Sequence, residues 1–288
     1  MYYSIYPKLR AIYSYLPTNK DLEFLIESRG LSGFNRRLKE LKIIKRFPLI
    51  DNNVERHFKN IPFYLTKVVY NRLYGYPRDF FSSYQKIYEL EDIKSALHRK
   101  KGNYLIFKEK DGFTLSEIEQ YLRGGFWWDA WSKGHLRYKD TEKYIDIEVS
   151  LDNYYYQNLY KKCYKLPKED VEDTEKLILK WINLKNKFWI YRLRNFYKME
   201  TFEIRRFLIP EGDVYKNIEE ISGNSKEVFI AELFRICYKE FKIKMYKMSS
   251  IIAFFILLGL IIDKVLSIYN AKLLNLEEER TKDLIGII

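Results

Sequence analysis

The chain has 288 residues, 47% of them hydrophobic and 31% charged, which is a globular composition long enough for one large domain or two ordinary ones and excludes a disordered chain. Only 12 glycines and 7 prolines punctuate it, which favours long helices with few connections over a many-stranded β fold. The net charge of +12, from 51 basic against 39 acidic residues, suits nucleic acid, anionic lipid or an acidic protein without choosing among them.

In chain order, Tyr6 to Leu16 places Leu9, Ile12, Tyr13 and Leu16 on one helical face. Pro17 and Thr18 interrupt it, and Asp21 to Ile26 opens a second short helix. Gly30 and Gly33 bracket a turn before a basic helix over Phe34 to Ile44. Two further helices are expected over Tyr64 to Tyr76 and Phe80 to Arg99, split at Gly75-Tyr76-Pro77. Ile145, Ile147 and Val149 alternate in the manner of a strand, and the stretch is read as a loop leading into a helix from Asp152 to Cys163. Lys176 to Tyr197 is the clearest helix. Leu177, Trp181, Leu184, Phe188 and Tyr191 share a face, acidic residues precede it, and Arg192, Arg194 and Lys198 sit near its end, which complements the helix dipole. Ser225 to Met245, Ser250 to Leu274 and Leu276 to Ile285 complete the helices.

The most apolar run, Ile251 to Ile262, spans roughly 18 Å as a helix against about 30 Å of bilayer hydrocarbon. Extending it to Tyr269 would bring Asp263 and Lys264 into the span. It is therefore read as a buried core helix, with a membrane segment as the alternative. A helix, a short connection and a second short helix with a polar start recur over 64–125, 152–212 and 225–288. Thr114 with Glu117 and Asn275 with Glu278 have capping-box spacing or a near variant. The expected body is one all-helical domain over 1–288. It has three loosely similar parts, completed by the N-terminal helices of 1–60.

The familiar marks of catalysis and cofactor binding do not occur. There is no GxxxxGK[ST] loop, no GxGxxG after a strand, no GxSxG and no HExxH. His57, His98 and His135 lie apart and read as surface or interface side chains rather than metal ligands. Cys163 and Cys237 suggest no disulfide framework, so a reducing compartment is expected, and the opening Met1-Tyr2-Tyr3-Ser4 lacks a signal-peptide plan. Phe126-Trp127-Trp128 with Trp131 reads as a helix junction or as a patch for a protein partner. The stripe Lys180, Lys185, Lys187, Arg192 and Arg194 reads as a solvated face or as a surface for an acidic partner.

Several segments resemble the C subunits of V/A-type ATPases, called d in eukaryotes. Lys180-Trp181-Ile182-Asn183-Leu184-Lys185 through Arg192 resembles their D/E-W-x-N-L-K…R helix. Ser249 to Leu276 is similar to their final long helix, with Gly259, Leu260 and Ile262 where the family usually carries acidic residues. Ile147 to Asp152 through Leu159 resembles their hydrophobic–D–x–x–Y/F–x–x–L segment, and Tyr6 to Ala11 their opening arginine–alanine helix.

The resemblance implies an all-α, funnel-shaped body of three pseudo-equivalent parts with no catalytic site and no cofactor. It implies a rotor component that couples the central shaft to the membrane rotor ring, peripheral on the cytoplasmic face of a membrane. No nucleic acid and no small-molecule substrate are then expected. Arg192, Arg194, Lys185 and Trp128 are the candidate contact residues. The alternatives are a basic, aromatic-rich nucleic-acid-binding protein and a protein anchored in a membrane through 251–262.

Overall fold

The structure, a computed structural model, describes residues 2–49, 53–98, 113–221 and 223–285. Among these residues it is all-α, with fifteen α-helices, a few 3-10 turns and no strand. The chain forms two compact units, the first from 1–73 and 230–288, the second from 74–229.

The first unit opens with α1 (Tyr6–Tyr13), α2 (Asn19–Ile26), α3 (Gly30–Leu38), α4 (Lys42–Arg46) and α5 (Val54–Tyr70). The second holds α6 (Gly75–Leu97), α7 (Leu115–Leu122), α8 (Trp128–Thr141), α9 (Ile145–Cys163), α10 (Lys168–Asn195), α11 (Thr201–Ile204) and α12 (Asp213–Lys216). Then α13 (Lys226–Ile243) carries the chain back, and α14 (Met248–Leu273) and α15 (Glu278–Ile285) complete the first unit.

The first unit is built around α14, which packs on α1, α2, α3, α5 and α15. Ile251, Ile252, Ala253 and Phe254 are all 0% exposed. Four consecutive residues point to every side of a helix, so α14 is covered all round at this level. The helix does not stop at the charges that bound the apolar run. It has 26 residues, about 39 Å at 1.5 Å per residue, and is long and apolar enough to cross a membrane by length and composition. In this unit it is the core, and Asp263 turns outward to solvent. Lys272 is buried and donates through Nζ to the carbonyls of Ile26 and Ser28 (2.8 Å to the latter), which satisfies acceptors left open where α2 ends.

Asn275 closes α14 rather than opening the helix after it. Its φ is 52°, its N–H donates to Lys272 O at 3.3 Å, and Leu276 N–H donates to Ala271 O at 2.9 Å, the two bonds of a Schellman motif. The other capping box is present. Glu117 N–H donates to Thr114 Oγ1 at 3.3 Å and Thr114 N–H returns to the Glu117 carboxylate at 2.9 Å. Of the recurring pattern, the end of the first long helix at Lys101 and the glycine at 286 lie outside the described residues.

The second unit is centred on α9, which packs on α6, α8 and α10. The loop expected before Asp152 is helix from Ile145 onward. Ile145, Ile147, Val149 and Leu151 are all buried, because helices cover α9 on several sides, and a helix buried all round can mimic the alternation of a strand. Other bounds also move: α5 covers Val54–Tyr70 where a helix over Tyr64 to Tyr76 was expected, and α6 begins at Gly75, so the expected split at Gly75-Tyr76-Pro77 is its first turn. The acidic run before Lys176 is the first two turns of α10, and the basic helix over Phe34 to Ile44 is broken into α3 and α4. The α8–α9 crossing is close at Gly134, where a Cβ would lie 2.7 Å from Ile147 Cα and 3.0 Å from Asp146 O.

Candidate functional site

Three helices of the second unit carry charged side chains at helical spacing on their facing sides. Lys94 is on α6 and His98 follows it, Glu148 and Asp152 are on α9, and Lys185 and Arg192 are on α10. Each pair is four or seven residues apart, so each lies along one face. These faces meet inside the unit. The Asp152 side chain is 1% exposed and takes the Lys94 ammonium on Oδ1 and the Lys185 ammonium on Oδ2 at 3.3 Å. The indole Nε1–H of buried Trp189 also donates to Oδ2, at 3.3 Å. Four residues along α9, Glu148 meets the His98 ring nitrogen through Oε1, and Arg192 Nη1 lies 3.8 Å from Oε2. The Arg192 guanidinium stands 4.7 Å from the centre of the Trp189 ring, which joins the two levels.

Burial opposes the charge on Asp152, but Lys185 and Lys94 outweigh it and hold the carboxyl below its usual range. Glu148 follows the same logic. Burial raises its pKa, and His98, Lys94 and Arg192 bring it down. The two lysines divide. Burial opposes both charges, yet Lys94 ends with a raised pKa, through Asp152 and Glu91, whereas Lys185 ends with a lowered one. Lys185 is therefore the strained cation of the cluster. With Glu91, 3.7 Å from Lys94, three cations (Lys94, Lys185, Arg192) face three carboxylates. A balanced, hydrogen-bonded group of this kind fixes the register of three helices; its net contribution to stability is small compared with the loss when one member is removed.

Of the four candidate contact residues, three are tied into the unit. Lys185 is engaged by Asp152 and Arg192 by Glu148 and Trp189. Arg194 donates to the carbonyl oxygens of Ile221 and, at 3.3 Å, Ile218, and to Thr201 Oγ1 at 3.3 Å. It clamps the segment that follows α10. Trp128 stands apart from them, half-buried at the start of α8, with the Arg123 guanidinium 5.9 Å from its ring centre. Its neighbours close the junction. Trp127 donates to Glu89 at 2.9 Å, Phe126 packs on Tyr154 at 5.0 Å, and Trp131 is 0% exposed.

The segment from Trp181 to Lys185 has a structural task at each polar position. The Trp181 ring meets Tyr156 edge-on at 5.1 Å, and Asn183 Oδ1 accepts from Val214 N–H at 3.2 Å. One residue beyond it, buried Asn186 exchanges two 2.9 Å hydrogen bonds with the backbone of Ile209. Sequence reading missed Lys94, Glu148 and Asp152 as a cluster. The available signal was the i, i+4 spacing of two carboxylates among apolar residues, which stays hidden while that stretch is read as a loop. Of the histidines, His98 joins the cluster and His135 lies 3.4 Å from Glu119. Among the described residues no three side chains of His, Cys, Asp or Glu converge as metal ligands would.

This arrangement makes cross-links between helices, and the comparison with known families agrees with a structural part. The family model for the ATP synthase (C/AC39) subunit matches residues 5–254. The chain belongs to this family. The match begins beside α1, takes in the whole second unit and ends within α14. No individual curated protein matches the chain. As a member of the C/AC39 family, it is a structural component of a V/A-type ATPase.

Proposed function

We propose that the chain is the socket of the rotor, receiving the central shaft and passing its torque to the membrane rotor ring, with ATP hydrolysis or synthesis on other subunits. The observation that supports this most is family membership over residues 5–254 of an all-α chain. The cross-linked α6–α9–α10 cluster suits the task. A part that transmits torque needs helices that do not slide, and charges buried in register oppose sliding. In this reading the body has three pseudo-equivalent helical parts and is peripheral on the cytoplasmic face. Trp128 and the outer edge of Arg192 touch neighbouring subunits, while Lys185 and Arg194 hold the surface behind them in shape. Basic surface charge draws the protein toward acidic loops or anionic headgroups, an attraction that salt weakens.

The test is a tagged pull-down from gently solubilised membranes of the source cells, at low and moderate salt, with mass spectrometry of what is retained. Recovery of catalytic, shaft and ring subunits is the expected result. Recovery of the chain alone, or with nucleic acid, would overturn the socket role. Resistance of the isolated chain to carbonate extraction from membranes would instead make α14 a membrane anchor.

A further inference from the structure

We propose that the furrow between α1 and α5, in the first unit, docks an amphipathic helix whose apolar stripe is flanked by acidic residues. The proposal rests on the furrow alone and not on the socket role.

Both α1 and α5 pack on α14, and on their outer side a cavity of about 1160 Å³ lies between them. Its apolar walls come from Leu9 and Ile12 on α1 and from Ile61, Leu65 and Val68 on α5. These positions are three or four residues apart, so each helix turns one face to the furrow: Leu9, Ile61 and Leu65 are buried and form its floor, and the partly exposed Ile12 and Val68 above them are left for a third helix to cover. Tyr15 and the well-exposed Tyr64 stand at the mouth, amphipathic rings of the kind that anchor protein contacts.

The charge of the lining is one-sided. Lys8, Arg46, Arg56 and Arg72 line the cavity together with His57, and no aspartate or glutamate does among the described residues. Lys8, Arg46 and Arg72 are exposed and make no ion pair among the described residues. The cations are also spread out. Arg56 is in the first turn of α5 and Arg72 lies two residues past its end, so they flank a stretch of helix about 21 Å long, and Lys8 is on the opposite wall. A lipid with a single anionic head would call for cations gathered at one end. Cations at both ends and on both walls match carboxylates carried along the flanks of a helix of four or five turns.

The test uses the full chain and fluorescein-labelled synthetic helices of roughly 18 residues, enough to span the furrow. One peptide has a leucine stripe with glutamate flanks, one the same stripe with lysine flanks, and one the glutamate flanks with the stripe scrambled. Fluorescence anisotropy is expected to show binding of the first alone. Lys8→Glu and Arg72→Glu should each weaken it about tenfold, and together they should admit the lysine-flanked peptide. Val68→Trp, which fills the furrow, should abolish binding, and Lys20→Glu, an exposed change outside it, should leave binding as it was. Unchanged helical circular dichroism confirms that each variant is folded.

No binding by the first peptide, equal binding of both flanked peptides, or indifference to Arg72→Glu overturns the proposal. Competition by phosphatidylglycerol vesicles through the same residues, tighter than the peptide, also overturns it and assigns the furrow to a membrane surface.

Discussion

Asp152 binds two ammonium groups and an indole with one carboxylate inside the second unit. Neutralising it strands two cations that are 13% and 15% exposed, so Asp152→Asn should cost about 3–5 kcal/mol in urea unfolding. Lys185→Met should cost less, because the Lys94–Asp152 pair stays in place and no cation is left without a carboxylate. If the two variants were equally destabilised, the stranded cations would not be the source of the cost. Acid provides a second check. The carboxyls of Asp152 and Glu148 titrate lower in the folded chain than in the unfolded one, so the unfolded state binds more protons as pH falls. Their contribution is complete above the unfolded carboxylate range, around pH 4, and is lost as pH drops through the lower folded values. The stability gap between the native chain and Asp152→Asn should therefore narrow from about pH 6 to about pH 3, with the native chain losing more.

At the scale of elements, two glycines in helices illustrate what sequence can and cannot convey. Gly134 in α8 and Gly259 in α14 are both helix-interior residues that alanine would ordinarily improve. At Gly134 a methyl group meets the backbone of α9, so Gly134→Ala should push α8 away and cost about 1–3 kcal/mol. At Gly259 nothing lies within 4 Å, and Gly259→Ala should stabilise by up to about 1 kcal/mol. Thermal melts of the two variants should move in opposite directions.

Periodicity located α1, α2, α7 and α13 to within a few residues, since each has one apolar face or a clear cap; the unbroken apolar run located α14, and α10 was found with its start placed eight residues late. Periodicity failed for α9, which neighbours cover on several sides and which therefore has no polar stripe to report its period. It missed α8 as a helix, because a run dense in tryptophan gives no period either. The ionic cluster was hidden for the same reason as α9. Its carboxylates are legible as a pair only once their backbone is known to be helical.

For the molecule as a whole, the first unit is discontinuous in sequence. Its first 73 residues supply α1 to α5, and the helix they surround is α14, from the other end of the chain. The second unit is continuous and carries its own core and ionic cluster. A fragment of residues 74–229 should therefore be helical and melt cooperatively, whereas a fragment of 1–73 should be largely unfolded by circular dichroism, lacking the apolar surface that α14 provides. A cooperative melt from the shorter fragment would show that α14 is not the organising core of its unit.

That discontinuity reverses the order of synthesis during folding. At about 5–20 residues per second, the 175 residues from Leu73 to Met248 take roughly 9–35 s to translate. For that interval the amphipathic faces of α1, α2, α3 and α5 emerge with nothing to cover them, while the middle of the chain can already fold. The beginning of the protein is thus the last part to become native, and its nascent chain is the stage at which chaperones have most to protect.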